Sequence, residues 1–483
     1  MIETPEQPTT TPGSGLAAVL TMSWPASLTM LNATVVKFID GLMVSWIGPV
    51  PVTAQFYGGM VSFAPESLML GLLSVVSSYV SQNLGGGRTQ RCAQYAWAGL
   101  ALAMGYSVLI APLALASDWG FALLDYEEAP LAAMYFRYMI LAAALTLSAR
   151  VLEQFFYGIH RPRVVLVASV IANLFNVAAN YGLIFGRWGL PELGLEGAAI
   201  GSVLAWGVQL AILLGVFLCP RLHAAFGTRQ LGMRWRQIAD ILRTGWPAGV
   251  QLCNDIFSWG MAIMLLSGIF GLADRVATTI MMRYIGLSFM PAIGVGIATT
   301  SLVGRAIGEG RPDLAVHRTR TALGVTAVYM GLCGLGFYLF RYPLMDLFIT
   351  KAAVLDRSPE ELEAIRRQIL DVGGRIMICA ALFQLADAVG IVYIGALRGA
   401  GDTRWPMVAT IVASWMVVVG GGVAMVTVAP QLGATGPWIA ATGYVFVLGA
   451  LMAWRFERGA WRSIDLLGRD TDRPGSPPAE QSS

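Results

Sequence analysis

The chain has 483 residues, of which 56% are hydrophobic and 13% are charged, whereas soluble domains carry about 25% charged residues. This deficit excludes an ordinary soluble enzyme. Its 32 basic and 29 acidic residues nearly cancel, which excludes the basic surface that a nucleic-acid-binding protein needs. Residues 1–15 contain no Lys or Arg and so lack the positive region of a cleaved signal peptide, and we expect the first apolar segment to remain as a helix.

Apolar segments of helical length follow one another along almost the whole chain. About 20 such residues are enough for a helix to cross the hydrocarbon core of a bilayer. The sequence therefore predicts an all-α polytopic membrane protein embedded in the lipid bilayer. Its twelve predicted spans are centred on residues near 16–46, 53–82, 92–117, 130–158, 163–186, 197–219, 245–270, 277–304, 319–349, 366–396, 406–428 and 435–454.

Charges in the connections between spans predict the orientation. Connections after even-numbered spans are rich in arginine, as at Arg88 and Arg305, whereas connections after odd-numbered spans carry acids, as at Glu127 and Glu360. Because arginine-rich loops stay on the cytoplasmic side, we expect both termini to be cytoplasmic.

An internal repeat divides the spans into two sets of six. The Trp-Pro-Ala sequence at 24–26 recurs at 246–248, and Asn32 recurs as Asn254 at the same offset of 222 residues. Further landmarks recur in the same order, namely 85–88 at 308–311 and 191–194 at 430–433. The repeat predicts two homologous six-helix bundles related by a pseudo-twofold axis along the membrane normal.

This repeat also sets the expected domain boundaries. We expect a cytoplasmic polar tail, an N-terminal lobe, a cytoplasmic linker, a C-terminal lobe and a polar, disordered tail, at residues 1–15, 16–220, 221–243, 244–456 and 457–483.

The minor residue types exclude several kinds of chemistry. The five cysteines contain no CxxC pair, the three histidines fall in connections, and neither lysine belongs to a phosphate-binding GxxxxGK[ST] loop. We therefore expect no metal site, no cofactor, no catalytic residues and no ATP-driven pumping by this chain.

Three aspartates inside the spans are the strongest candidates for function, since a mid-bilayer carboxylate costs roughly 2.5–3.5 kcal/mol on insertion scales. Asp255 and Asp387 have no basic residue within four positions, and Asp40 lies in the first span. The repeat preserves its Pro and Gly positions while these acids differ between the halves, as expected of site residues. The alternative is a structural partner elsewhere in the fold.

Span 5 contributes a row of amides beside these acids. Asn176 and Asn180 share a helix face with Asn173 nearby, and their carbonyl oxygens, together with Asp40, would suit a sodium or hydronium ion. The alternative is that the amides bond neighbouring helices. Lys37 lies on the same face as Asp40, and an ammonium there would make Asp40 a poorer proton carrier.

Other intramembrane charges have simpler explanations. Arg150 and Glu153 are three residues apart and are expected to pair locally. Arg137 is near enough to its span end to extend outward. Whether Glu66 and Arg283 meet across the lobes is open.

These residues resemble the multidrug and toxic compound extrusion family of antiporters from about residue 16 to 456. The matching motifs are Pro25 with 38–41, 82–87, 176–186 leading into 191–194, 245–247 with Asp255, and Asp387 followed by Leu-Arg-Gly-Ala-Gly-Asp-Thr at 397–403.

The resemblance implies two bundles of six helices that together form a V, in a bacterial inner membrane, and we expect a monomer. It further implies export of amphipathic, often cationic compounds in exchange for Na⁺ or H⁺. Carried over by position, Asp40, Asn176 and Asn180 match one cation site, while Asp255 and Asp387 match another. A lipid-linked precursor flippase of the same superfamily is the alternative, and it would require several basic residues for pyrophosphate.

Overall fold

The computed structural model describes residues 14–122, 127–232, 234–348 and 359–468. Most of the two expected tails, residues 1–13 and 469–483, therefore lies outside the described residues.

The N-terminal lobe is helical throughout its described length. Its helices are α1 (Ser14–Ser45), α2 (Pro49–Leu73), α3 (Val76–Gly85), α4 (Thr89–Ile110), α5 (Pro112–Leu115), α6 (Ser117–Ala122), α7 (Ala129–Gly158), α8 (Pro162–Phe185) and α9 (Leu195–Phe217). A short helix in the linker, α10 (Pro220–Phe226), leads to the second lobe.

The C-terminal lobe repeats this pattern with more interruptions. Its α-helices are α11 (Trp235–Asp255), α12 (Ile263–Gly268), α13 (Leu272–Gly308), α14 (Pro312–Leu339), α15 (Arg341–Phe348), α16 (Pro359–Ala400), α17 (Arg404–Ala413), α18 (Gly421–Val428) and α19 (Thr435–Glu457). Two π-helices, Ile256–Ala262 and Ser414–Gly420, interrupt the seventh and eleventh spans, and 3₁₀ turns cover Pro430–Leu432 and Ala460–Ser463.

The predicted fold class is confirmed. Within the described ranges, twelve helical segments are long and apolar enough to cross a membrane. Buried apolar residues form a core in each lobe, one built around Phe155 and Leu147 and the other around Phe383 and Trp438. The two π-helices were not predicted, because an i→i+5 bonding pattern has no sequence signature comparable to a proline kink.

Repeat-related glycines hold the two lobes together. Gly71 in α2 lies so close to Ala248 and Gly249 of α11 that a Cβ atom would overlap their backbone. Gly294 in α13, at an offset of 223, meets the backbone of Ser27 in α1 in the same way. The contact between α2 and α11 is thus the pseudo-twofold image of the contact between α13 and α1.

A second pair of glycines repeats this arrangement at one end of the bundle. Gly85 abuts the carbonyl of Arg305, and Gly308 abuts the carbonyl of Gln82. We call this the arginine-rich end, defined by the connections α3–α4, α13–α14 and α16–α17. In the described chain, the side-chain hydrogen bonds between the lobes reach no farther from this end than Ser27 and Ala64. The polar contacts between the lobes are therefore concentrated in the half of the fold that is nearer the arginine-rich end.

Candidate functional site

The candidate residues of the N-terminal lobe form one hydrogen-bonded chain. Asn180 Nδ2 donates to Asp40 Oδ1 at 2.8 Å and to Asn176 Oδ1 at 3.3 Å. Asn176 Nδ2 in turn donates to Ser202 Oγ at 3.4 Å. Gly201 provides the space for this chain, because a Cβ atom there would overlap Asn180 Oδ1. The sequence prediction that Asp40, Asn176 and Asn180 lie together agrees with this geometry.

An unused acceptor atom marks this cluster. Asn180 Oδ1 is buried and has no hydrogen-bond partner in the described chain. It stands next to the Asp40 carboxylate, so two kinds of hard oxygen ligand lie together, which suits a small cation. Among the described residues no group of three or more His, Cys, Asp or Glu side chains is placed to hold a metal ion.

Lys37 does not pair with Asp40, although the two residues share a helix face. The charges nearest its ammonium are Arg150 of α7 and Glu66 of α2, while Asp40 turns toward Asn180 of α8. The two side chains thus leave α1 toward different helices, although they share a face of it.

The other intramembrane charges of this lobe are largely paired. Arg150 Nη1 lies 2.7 Å from Glu153 Oε2, as predicted. Arg137 reaches outward to Asp118 at 2.6 Å, which confirms its outward extension. Glu66 faces Lys37 within its own lobe, and Arg283 forms no ion pair with it.

The acids of the C-terminal lobe also lie together. Asp387 in α16 is close enough to Asp255 in α11 for the two carboxylates to interact electrostatically. Tyr444 of α19 faces both acids, and Trp259 packs edge-on against it with ring centroids 6.0 Å apart. Asp255 Oδ1 is buried without a hydrogen-bond partner in the described chain.

This cluster lies at an irregular part of the fold. The π-helix Ile256–Ala262 begins directly after Asp255 and contacts the π-helix Ser414–Gly420 of the eleventh span. Single π-helical turns occur frequently at functional sites. Like charges held close together in such a place favour the capture of a cation or a proton.

Asn254 is a residue of this region to which sequence reasoning gave no role. Its Nδ2 donates to Ser414 Oγ at 2.9 Å, and its Oδ1 accepts from Trp415 Nε1 at 3.0 Å. Its repeat counterpart Asn32 donates to Ser169 Oγ of α8 at 3.4 Å. The recurrence of Asn at an offset of 222 was the available signal, since both amides bond the fifth span of their own lobe.

The two acidic clusters remain separate. No hydrogen bond or ion pair in the described part of the chain joins Asp40 to Asp255 or Asp387. Each lobe therefore carries its own acidic cluster.

Polar contacts close the arginine-rich end. Ser78 Oγ donates to the carbonyl of Arg398 at 2.8 Å, and Gln82 Nε2 donates to that of Gly399 at 2.9 Å. His160, in the connection between α7 and α8, bonds through Nε2 to the carbonyl of Ser301 at 3.2 Å. These three bonds run from the N-terminal lobe to α13 and α16.

The His160 ring is held in its neutral form. Burial lowers its pKa to about 3, and the nearby guanidinium groups of Arg305 and Arg318 act in the same direction. The hydrogen bond to the Ser301 carbonyl raises the pKa of His160, but by less than burial and the guanidinium groups lower it. A neutral ring is therefore part of the closed end.

Comparison with known proteins agrees with this architecture. A family model described as MatE matches residues 25–182 and 247–423, one stretch in each lobe. The chain is 27% identical over 398 residues to a probable multidrug resistance protein NorM of Thermotoga maritima, which covers 81% of each chain. It is 28% identical over 453 residues to a probable NorM of Deinococcus radiodurans, covering 93% of this chain and 96% of the relative.

Solved structures show the same fold. A MOP superfamily transporter from Pyrococcus furiosus, described as having a binding pocket of reverse polarity, superposes with a TM-score of 0.82 at 20% identity over 94% of this chain and 100% of that one. A multidrug resistance MATE family transporter in an outward-facing conformation superposes with a TM-score of 0.82 at 20% identity, over 95% and 100% of the two chains. Because the family match takes in more than half of the sequence and both lobes, the chain belongs to the MatE family of membrane transporters.

Proposed function

We propose that this transporter exports amphipathic, often cationic compounds across a bacterial inner membrane in exchange for Na⁺ or H⁺. The observation that carries the proposal is the pair of acidic clusters, Asp40 with Asn176 and Asn180 in one lobe and Asp255 with Asp387 in the other. The relatives that are named multidrug resistance proteins also support export of such compounds.

Alternating access follows from the way the lobes touch. The arginine-rich end is closed by backbone contacts at Gly85 and Gly308, and the positive-inside rule assigns this end to the cytoplasm. In this proposal the lobes part on the other side to leave a cleft that faces outward, and both termini are cytoplasmic. Breaking these contacts while closing the opposite end would expose the same acids to the cytoplasm. We propose that one monomer completes this cycle.

The energetics favour exchange over simple export. Moving a monovalent cation out against an inside-negative potential costs about 2.3 kcal/mol per 100 mV. One-for-one exchange with an inward cation cancels this cost. Asp255 and Asp387 provide the competition, because a cation, a proton or a cationic drug each relieves their mutual repulsion. Loading from outside would therefore release the drug.

The lipid-linked flippase is less well supported. Pyrophosphate recognition calls for several unpaired basic side chains. Among the described intramembrane basic side chains of the N-terminal lobe, Arg137 and Arg150 are paired with acids, which leaves Lys37 as the one basic group without an ion pair. In the C-terminal lobe Arg398 lies near Asp255, so a cluster of several unpaired basic groups is not formed by the described residues.

Dye efflux from inverted membrane vesicles tests the proposal. We expect a fluorescent cationic dye to accumulate in vesicles when a sodium gradient or a proton gradient is imposed separately, and the active gradient identifies the ion. Vesicles without the protein are the control. No response to either gradient would overturn the antiport mechanism.

A further inference from the structure

An intramembrane lysine remains unexplained by cation export. Lys37 is exposed in α1, and its Nζ atom lies 5.9 Å from the centre of the Phe63 ring. An ammonium at this depth is costly and normally requires a partner or a function. No ion pair within 4 Å is formed by Lys37 in the described part of the chain.

The acids near Lys37 also interact with other groups. Arg150 is bound to Glu153, whose second oxygen, Oε1, accepts a hydrogen bond from Gln209 Nε2 at 2.7 Å. Both oxygens of Glu153 therefore already accept a hydrogen bond. Glu66 is buried, and it faces the Thr146 hydroxyl as well as the lysine.

Two positive charges thus converge on the same space. The Lys37 ammonium and the Arg150 guanidinium are near enough to repel each other, and the Arg150 side chain is 37% exposed despite its ion pair. An oxyanion placed between them would be attracted to both, and charge-assisted hydrogen bonds to carboxylates are among the strongest in proteins.

The opposite charge is available one helical turn away. Asp40 follows Lys37 by three residues but is directed toward α8, while Lys37 is directed toward α2 and α7. A ligand with a positive and a negative group could contact both without the two side chains neutralising each other. Phe63, 38% exposed beneath the ammonium, offers an apolar surface for the body of such a ligand.

We propose that Lys37, with Arg150 beside it, binds the carboxylate of zwitterionic amphipathic substrates. This inference rests on the proposed function, since it presumes that the cleft takes up amphipathic compounds. It adds a specificity-determining residue. It predicts that Lys37→Met weakens the binding of a ligand that carries the carboxylate more than the binding of the matched ligand that lacks it.

Two dyes with one scaffold provide the test. Rhodamine 110 carries a free carboxylate, and rhodamine 123 is its methyl ester. Binding of each dye to the purified full-length protein is measured by fluorescence polarisation, and efflux of each is measured in vesicles. For Lys37→Met we expect the ratio of acid affinity to ester affinity to fall about tenfold, as for loss of one charge-assisted hydrogen bond.

Two further variants make the result specific. Lys37→Arg keeps the charge and should restore most of the ratio. Arg137→Met removes a cation from the same helix as Arg150, but one that is paired with Asp118 at the end of the span, and it should leave the ratio unchanged.

The outcomes separate this inference from the proposed function. If the wild type exports both dyes and Lys37→Met changes both affinities equally or neither, Lys37 is a structural partner of Glu66 and the inference is wrong. If the wild type exports neither dye under any gradient, the proposed function itself fails. If Lys37→Met weakens binding of the acid but not of the ester, the inference is supported even where efflux is slow.

Discussion

Asp40 accepts a 2.8 Å hydrogen bond from Asn180, and this contact joins α1 to α8 inside the N-terminal lobe. Because Nδ2 of the amide is used in this way, its Oδ1 atom is left buried beside the carboxylate without a partner. The cluster therefore combines a carboxylate with an amide oxygen that has no hydrogen-bond partner in the described chain. This arrangement depends on Gly201, which leaves room for the amide.

Gly201→Ala is expected to impair transport by displacing Asn180. The added methyl would overlap Asn180 Oδ1, and loss of a hydrogen bond to a charged group costs about 1.5–3 kcal/mol. We expect dye efflux to fall at least about tenfold. Gly207→Ala on the same helix is the control, since its nearest neighbour, Leu145 Cδ1, is 3.9 Å away. Equal efflux in the two variants would contradict this role of Gly201.

Asp387→Asn is expected to abolish coupled efflux. The amide cannot take up a proton and removes one of the two charges that attract a cation. Asp371→Asn is the matched control on α16, because Asp371 is 60% exposed and pairs with Arg375 on the surface. Efflux of the control should stay within about twofold of wild type. Coupled efflux by Asp387→Asn at the wild-type rate would show that Asp387 is structural.

Gly294→Val is expected to force the lobes apart where α13 meets α1. The valine side chain would overlap the backbone of Ser27, and such overpacking costs about 1–3 kcal/mol. The readout is labelling of Cys253, whose Sγ lies 3.0 Å from Ser67 Oγ across the interface, with the other four cysteines changed to alanine. We expect labelling to become faster.

Gly286→Val is the control for that experiment. Gly286 lies on the same helix, α13, and a Cβ atom there meets nothing within 4 Å. The labelling rate of Cys253 in Gly286→Val should match that in the protein that keeps both glycines. If Cys253 is labelled no faster in Gly294→Val than in Gly286→Val, close packing at Gly294 is not what shields Cys253 between the lobes.

Lowering the pH on the side of the membrane where the arginine-rich end lies is expected to open that end by protonating His160. Its pKa is about 3 when buried and 6.5 when exposed, so the open state binds more protons between these values. Closure is unaffected above pH 6.5 and weakens as the pH falls below it. At pH 5.5 the ratio of open to closed molecules should be about tenfold higher than at neutral pH.

Spin labels at Gln90 and Asp313, one on each lobe, measure this change as a distance distribution. The wild type should shift toward longer distances between pH 7 and 5.5. His160→Gln keeps a hydrogen-bond donor but cannot be protonated, and it should show no shift. A shift of equal size in both proteins would assign the pH response to another group.

Sequence reasoning was most successful where the signal is local or repeated. The pairing of Arg150 with Glu153 follows from their spacing, and the two-lobed architecture follows from the recurrence of Trp-Pro-Ala and of the glycine motifs. Membership of a transporter family also confirms the expectation of a transporter rather than an enzyme.

Sequence reasoning was least successful where a side chain could be directed toward either of two neighbouring helices. Lys37 and Asp40 share a face of α1, yet one turns to α2 and α7 and the other to α8, and no pattern within α1 determines this. The proximity of Asp255 to Asp387 depends in the same way on the packing of α11 against the rest of its lobe. The functional roles of these acids remain predictions.

The paired glycine contacts have a consequence for the transport cycle. Since Gly71 and Gly294 lie on opposite sides of the pseudo-twofold axis, a rocking motion that separates the lobes at one contact separates them at the other. An intermediate with only one contact broken would require the lobes to twist about the membrane normal. In the proposed cycle we therefore expect the two contacts to break together, without a stable half-open form.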